Sequence, residues 1–347
     1  MGIKVLVVDD SATARAILTE ILLSDAEIES VETAPDAYIA RDKIVKNTPD
    51  VICLDVEMPR MDGITFLKKL MSYMPLPVVM VSSLTQKGAD TTLDALESGA
   101  VDVVAKPHSH IYDGAKEIQE ELLEKVKNSA LANVTNFRAK KVYKHLDYQN
   151  HLKETTQKLI AVGASTGGVE ALKEFLIQFP RNTPGMLIVQ HMPSNFTKQF
   201  AKRLNSLCEM DIKEAEDGDV VNIGQVLIAP GDMHMVLRRS GHRYYIQIGG
   251  GQKVSGHRPS IDVMFNSVSK SAGANAIGVI LTGMGSDGAN GLLNMRKAGA
   301  MTFGQDKKSS VVYGMPRVAN EIGGVVKEDS LEALPSAILH HLETIKV

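Results

Sequence analysis

Short apolar runs alternate with amphipathic stretches of helix length along nearly the whole chain, and no other feature limits the fold so strongly. In the first 125 or so residues, runs of strand length occupy residues 3–8, 51–54, 78–81 and 103–104. Amphipathic stretches occupy 14–23, 38–45, 66–74 and 92–96, and a charged helical segment follows at 116–127. Alternation at this spacing predicts βαβ units, hence a parallel sheet with helices on both faces. A second series then gives strands at 159–162, 186–190, 226–229, 276–281 and 301–303, with a hairpin pairing 235–237 with 244–248. Its helices are expected at 169–179, 196–207, 261–272, 291–298 and 331–345. The stretch between the two series is polar and has no sustained period, which reads as a linker. The expected organisation is an α/β domain over residues 1–125, a linker over 126–156 and a second, doubly wound α/β domain over 157–347.

A length of 347 residues suits two domains better than one core. The net charge of −3 gives no basic footprint, so nucleic acid is not an expected partner and a transcriptional output module is disfavoured. Cys53 and Cys208 lie far apart, and Cys53 sits in the apolar run VICLDV, so both are expected as free thiols in a reducing compartment. No apolar run approaches the roughly 18 residues that span a bilayer, and the N-terminus lacks a signal-peptide pattern. Cytoplasmic localisation without membrane insertion is the expectation. The sixteen methionines show no ligand spacing and read as core and gap-filling residues.

Polar residues collect at the strand ends. Asp9 and Asp10 follow the run at 3–8, Asp55 follows that at 51–54, Ser82 that at 78–81, and Lys106 comes just after that at 103–104. In a parallel sheet these ends share one edge, so three carboxylates, a hydroxyl and an ammonium converge. Carboxylates so close repel one another, which a hard cation such as Mg²⁺ relieves. A carboxylate beside such a cation is a plausible phosphoryl acceptor, with Lys106 and Ser82 able to hold phosphoryl oxygens. Each aspartate alone reads as a cap or turn residue; the set is what is specific.

In the second series, the turn GASTGG at residues 163–168 joins a strand to a helix. Small neighbours let the backbone turn sharply and leave Ser165 at a helix N-terminus, where backbone N–H groups favour an oxyanion. The alternative is a phosphate-binding turn, weakened by the absence of both G-x-G-x-x-G and a Walker lysine. Among ten histidines, His191 directly follows a strand and is the candidate base, with His234 and His257 as rivals. Asp287, in the glycine-rich loop of GVILTGMGSDG, is the candidate orienting carboxylate, with Asp262 as its rival.

The runs VLVVDDS, LDVEMPRMDG, MVSSLT and AKPH resemble the receiver domain of bacterial response regulators. The resemblance implies a flavodoxin-like parallel sheet, phosphorylation of Asp55, Mg²⁺ binding by Asp9, Asp10 and Asp55, and signalling roles for Ser82 and Lys106. The aromatic that many receivers carry on the fifth strand is not visible in VDVVAKP, which counts against aromatic-rotamer switching. The motifs GASTGG, QHMP, APGDMHM, HRPSIDVMF, LTGMGSDG and YGMPR resemble the catalytic domain of the chemotaxis protein-glutamate methylesterase (CheB) family. That resemblance implies a Ser165–His191–Asp287 triad, with Thr166 and Met284 at the positions offering oxyanion-hole N–H groups. It also implies hydrolysis of glutamate methyl esters on chemoreceptor helices, deamidation of receptor glutamines, and a chemotaxis histidine kinase as phosphodonor. Mg²⁺ is expected in the receiver, with no cofactor for the ester chemistry.

Overall fold

The computed structural model of the chain describes residues 2–82, 86–106, 115–134 and 158–344. Residues Met1–Lys140 and Lys141–Val347 form two compact units. Pro107 and residues 135–157 of the expected linker lie outside the described residues.

The first unit runs β1 (Ile3–Val8), α1 (Ala12–Leu23), β2 (Ile28–Ala34), α2 (Ala37–Lys46), β3 (Val51–Asp55), α3 (Gly63–Tyr73), β4 (Val78–Ser82), α4 (Gln86–Glu97), β5 (Asp102–Ala105) and α5 (Ala115–Ala130). Its five parallel strands lie in the order β2-β1-β3-β4-β5. One face of the sheet, with Val5, Val7, Cys53, Val79, Val81 and Val104, packs on Leu18 and Leu22 of α1 and Leu122 and Val126 of α5. The intervening residues Leu6, Val8, Ile52, Leu54 and Met80 are buried as well. A strand covered on both faces must be apolar throughout, which is why these runs stand out in the sequence. β2 is the exception: it lies at the sheet edge and only Ile28 and Ala34 at its ends are buried, so IESVETA carries no apolar run. Ser11, Asp36 and Asp62 cap α1, α2 and α3 with their side-chain oxygens. α5 continues to Ala130, five residues (126–130) into the stretch expected as linker.

The second unit runs β6 (Leu159–Ala164), α6 (Gly168–Leu176), β7 (Met186–Gln190), α7 (Ser194–Leu207), β8 (Asp211–Glu214), β9 (Gln225–Ile228), β10 (His234–Ser240), β11 (Arg243–Gly249), α8 (Ile261–Ser271), β12 (Ala276–Ile280), α9 (Ala289–Lys297), β13 (Met301–Gln305), α10 (Met315–Glu321), β14 (Lys327–Asp329) and α11 (Leu334–Thr344). Seven parallel strands lie in the order β14-β13-β12-β6-β7-β9-β8, and β10 and β11 form a separate antiparallel pair. Met235, Leu237, Tyr244 and Ile246 of that pair join Met264, Phe265 and Val268 of α8 and Leu292 and Met295 of α9 in one core. β8, α10 and β14 have no apolar run or clear period; DIKE and KED are edge strands, where sheet pairing rather than side-chain burial makes the strand. Cys53 is buried and Cys208 half-buried, both free, and burial pushes each thiol up to about 12.

Strand order locates the crevices. In the first sheet the chain steps one way from β1 to β2 and the other way to β3, and in the second one way from β6 to β7 and the other way to β12. Ligand sites in open parallel sheets lie outside the carboxyl ends of the strands at such reversals.

Candidate active site

Ser165 leaves β6 at the second reversal. Its N–H donates to the carbonyl of Thr282, just past β12, at 3.0 Å, and its carbonyl accepts from Gly168 N–H at 2.7 Å. Gly167, at φ 75°, makes the turn into α6. Gly283 passes so close that an added Cβ would lie 2.8 Å from Ser165 Cβ and 2.4 Å from Met315 Sδ. His191 extends β7 by one residue, its N–H donating to Ala164 O at 3.3 Å, which sets its side chain beside the turn. The buried amide of Gln190 ties the two together, donating to the carbonyls of Ser165 (2.9 Å) and His191 (3.1 Å).

His191 Nδ1 is 3.1 Å from Ser165 Oγ, and His191 Nε2 is 2.8 Å from Asp287 Oδ2. An ionised carboxylate only accepts, so the ring proton belongs on Nε2 and the Nδ1 lone pair faces the serine hydroxyl. This reverses the ring-nitrogen usage of chymotrypsin, where Nε2 faces the serine. Asp287 lies against the N-terminus of α8: Oδ2 also accepts from Ile261 N–H (2.7 Å), while Oδ1 accepts from Ser260 Oγ (2.8 Å) and Asp262 N–H (3.1 Å). Burial would raise the Asp287 carboxyl. The hydrogen bond and charge of His191, with the N–H groups of Ile261 and Asp262, outweigh it and hold the group below the usual carboxylate range. Thr166 follows Ser165 at the head of the turn, and Met284 follows Gly283, which an added Cβ would bring against Ser165.

Two of the rival residues bond elsewhere, and the third lies against His191. His234 is buried, its Nε2 donating to Gln252 O (2.9 Å) and its Nδ1 accepting from Ser260 N–H (3.2 Å). Asp262 accepts from Gly291 N–H at 2.6 Å, and burial first, then the charge of Asp287, raises its carboxyl. His257 stacks on His191.

At the first reversal, Asp9, Asp10 and Asp55 bring carboxylate oxygens within 4.8 Å of one another. Asp9 and Asp55 are buried and Asp10 is exposed. Lys106 Nζ reaches Asp9 Oδ2 at 2.8 Å and Asp55 Oδ2 at 3.0 Å. Its N–H donates to the carbonyl of buried Ser82 at 2.8 Å. Burial lifts the Asp55 carboxyl to about 6; the hydrogen bond from Lys106 opposes this and the charge of Asp9 adds to it. Gly63 starts α3 where an added Cβ would lie 2.0 Å from Asp55 O, so only glycine lets that helix approach the strand end. A set of clustered, partly uncompensated oxygen donors fits a hard divalent cation.

Residues 160–338 match the CheB methylesterase family, and residues 5–112 match the response regulator receiver domain. The protein-glutamate methylesterase/protein-glutamine glutaminase of Sulfurimonas denitrificans is 62% identical over 331 residues, 94% of each chain. The chain belongs to the CheB methylesterase family. A protein of the same description from Escherichia coli K12 is 52% identical over 341 residues, 97% of this chain and 96% of that one. The CheB methylesterase catalytic domain of Thermotoga maritima, known from a crystal structure, superimposes with a TM-score of 0.52 at 35% identity, over 53% of this chain and 98% of that one. As a CheB methylesterase family member the chain is a hydrolase of chemotaxis, and its receiver brings it under phosphorylation by a donor kinase. Among the described residues no helix is long and apolar enough to cross a membrane.

Sequence reasoning missed three contributors to this candidate site. Gln190 reads simply as the end of an apolar strand, and Gly283 as one glycine among several. Ser260 did carry a signal, since a serine directly before an apolar helical run marks an N-cap. Its second role, donating to Asp287, depends on a contact across 27 residues.

Proposed function

We propose that Ser165, His191 and Asp287 are the catalytic triad with which this chain hydrolyses the γ-methyl esters of glutamates on chemoreceptors. His191 Nδ1 takes the proton of Ser165 Oγ as the oxygen attacks the ester carbonyl. The carbonyl oxygen becomes an oxyanion held by the backbone N–H groups of Thr166 and Met284. As the tetrahedral adduct collapses, the proton passes from His191 to the methoxide oxygen, and methanol leaves an acyl-enzyme on Ser165. Water, deprotonated by the same Nδ1, attacks the acyl carbonyl; collapse returns the proton to Ser165 Oγ and frees a glutamate carboxylate. With a glutamine side chain, ammonia leaves in place of methanol, giving the glutaminase reaction. Asp287 keeps the Nε2 proton in place and balances the imidazolium charge at each transfer. The observation that carries this reading is the unbroken hydrogen-bonded line from Ser165 through His191 to Asp287.

In the receiver, Asp55 accepts the phosphoryl group from a chemotaxis histidine kinase. Asp9, Asp10 and Asp55 would hold Mg²⁺, which when bound offsets the charge of the incoming phosphoryl group. Lys106 and Ser82 hold its oxygens, which gives phosphorylated and unphosphorylated receivers different surroundings at this edge. The substrates are cytoplasmic receptor helices, and the enzyme works in the cytoplasm. Ser165→Ala is the test: methanol release from methylated receptor should fall by about 10⁴–10⁶ in kcat. Release within tenfold of wild type would remove Ser165 from the nucleophile's role.

A further inference from the structure

His257 lies flat against the imidazole of His191, with ring centroids 3.7 Å apart and planes 15° from parallel. No step of the chemistry above uses it, yet the segment that carries it is held firmly. Val254 and His257 exchange both backbone hydrogen bonds, at 3.1 and 3.0 Å. The two residues between them, Ser255 and Gly256, have φ of 54° and 81°, the double positive φ of a type I′ turn. Arg258 then donates to the Asp232 carboxylate from Nε (3.0 Å) and Nη2 (2.6 Å), and from Nη1 to the carbonyl of Gly251. Ser260, three residues after His257, caps α8 and donates to Asp287. One braced segment therefore holds His191 from two directions, by its ring face through His257 and by its Nε2 edge through Ser260 and Asp287.

We propose that His257 is a positioning residue for His191. Its ring fixes the plane in which Nδ1 meets Ser165 Oγ and Nε2 meets Asp287 Oδ2, and its π face supports the imidazolium that forms when His191 takes the serine proton. The proposal rests on the triad reading above. A ring free to rotate about its side-chain bonds loses one hydrogen bond whenever it improves the other, because its two nitrogens are fixed relative to each other. A cation over an aromatic face is attracted by the ring quadrupole. That attraction exists only after proton transfer, so it lowers the barrier without strengthening substrate binding and belongs to kcat rather than KM.

The experiment uses the full chain and methanol release from methylated receptor. His257→Leu and His257→Gln both remove the ring, one keeping apolar bulk and the other polarity, while His257→Phe keeps a flat π face. Both ringless variants should lose about ten- to a hundredfold in kcat with KM within about twofold, at melting temperatures like that of wild type. His257→Phe should return kcat to within a few-fold of wild type. With ¹⁵N-labelled histidine, the hydrogen-bonded Nε2 proton of His191 should give a sharp downfield resonance in wild type and His257→Phe, and a broadened one in the ringless variants. Wild-type kcat in both ringless variants overturns the proposal, and so does a Phe variant as impaired as they are. A Ser165→Ala chain that still turns over would instead bring down the triad reading itself, a result separable from either.

Discussion

At Gly283 the space beside Ser165 is already full. A methyl group there would meet Ser165 Cβ at 2.8 Å and Met315 Sδ at 2.4 Å, and Met315 is fully buried and has little room to retreat. Gly283→Ala should therefore destabilise the second domain by about 1–3 kcal/mol and, by displacing the serine, lower kcat by roughly 10²-fold. Chemical denaturation paired with methanol-release kinetics would check both; wild-type kcat would mean the turn absorbs the shift. Asp287 makes a prediction of a different kind. Its carboxyl is held below the usual range in the folded chain, so its contribution to stability is fully present above the unfolded value near 3.8 and is lost as pH falls through the lower folded value. Asp287→Asn should accordingly flatten the acid dependence of the melting temperature below about pH 4. Parallel curves for the two proteins would contradict the depressed pKa.

Helix α8 organises the site as an element. Its first N–H groups point at Asp287, so the positive end of the helix dipole lies against that carboxylate and favours its charged form. The same end is capped by Ser260, whose hydroxyl serves both Val263 N–H and the Asp287 carboxylate. Helix and the Asp287 carboxylate are thus coupled through one oxygen. Ser260→Ala should cost about 1 kcal/mol of stability as a lost cap. It should also lower kcat by roughly tenfold or more, since hydrogen bonds to charged groups contribute about 1.5–3 kcal/mol. Ser260→Thr keeps the hydroxyl and should recover most of both. If the Ala variant melts earlier but turns over normally, the contact with Asp287 matters only for folding.

Across the whole molecule, two sheets place two clusters by the same rule of strand order, one of Asp9, Asp10 and Asp55 and one of Ser165, His191 and Asp287. Mg²⁺ at a hundredfold its dissociation constant should stabilise the receiver by about 2.7 kcal/mol, and Asp10→Ala, at an exposed position, should abolish that shift in a thermal melt. Phosphodonor and Mg²⁺ together should raise esterase activity of the full chain, and Asp55→Ala should remove the rise while leaving basal hydrolysis. A fragment of residues 157–347 should hydrolyse ester unaffected by EDTA, and the matching Thermotoga maritima catalytic domain, crystallised as such, supports its folding alone. An EDTA-sensitive fragment would show that metal enters the ester chemistry as well.

The sequence by itself determined the two parallel-sheet series, because a strand buried on both faces must be apolar over its full length. It also determined which strand ends carry Asp9, Asp55, Ser165 and His191, since chain order and sheet edge go together in a parallel sheet. Edge elements such as β2, β8 and β14 stayed hidden because backbone pairing, which any residue can supply, holds them in place. His191 stands out from His234 and His257 by directly following a strand, but settling on it, and on Asp287 over Asp262, required the motif resemblance, because the rivals lie in polar segments that could line the same cleft. Only the tertiary structure decided that Nδ1 faces the serine, that α8 aims its N-terminus at Asp287, and that His257 covers the ring of His191. Those are distances between segments dozens of residues apart, and they are set by how the loops pack over the reversal in strand order.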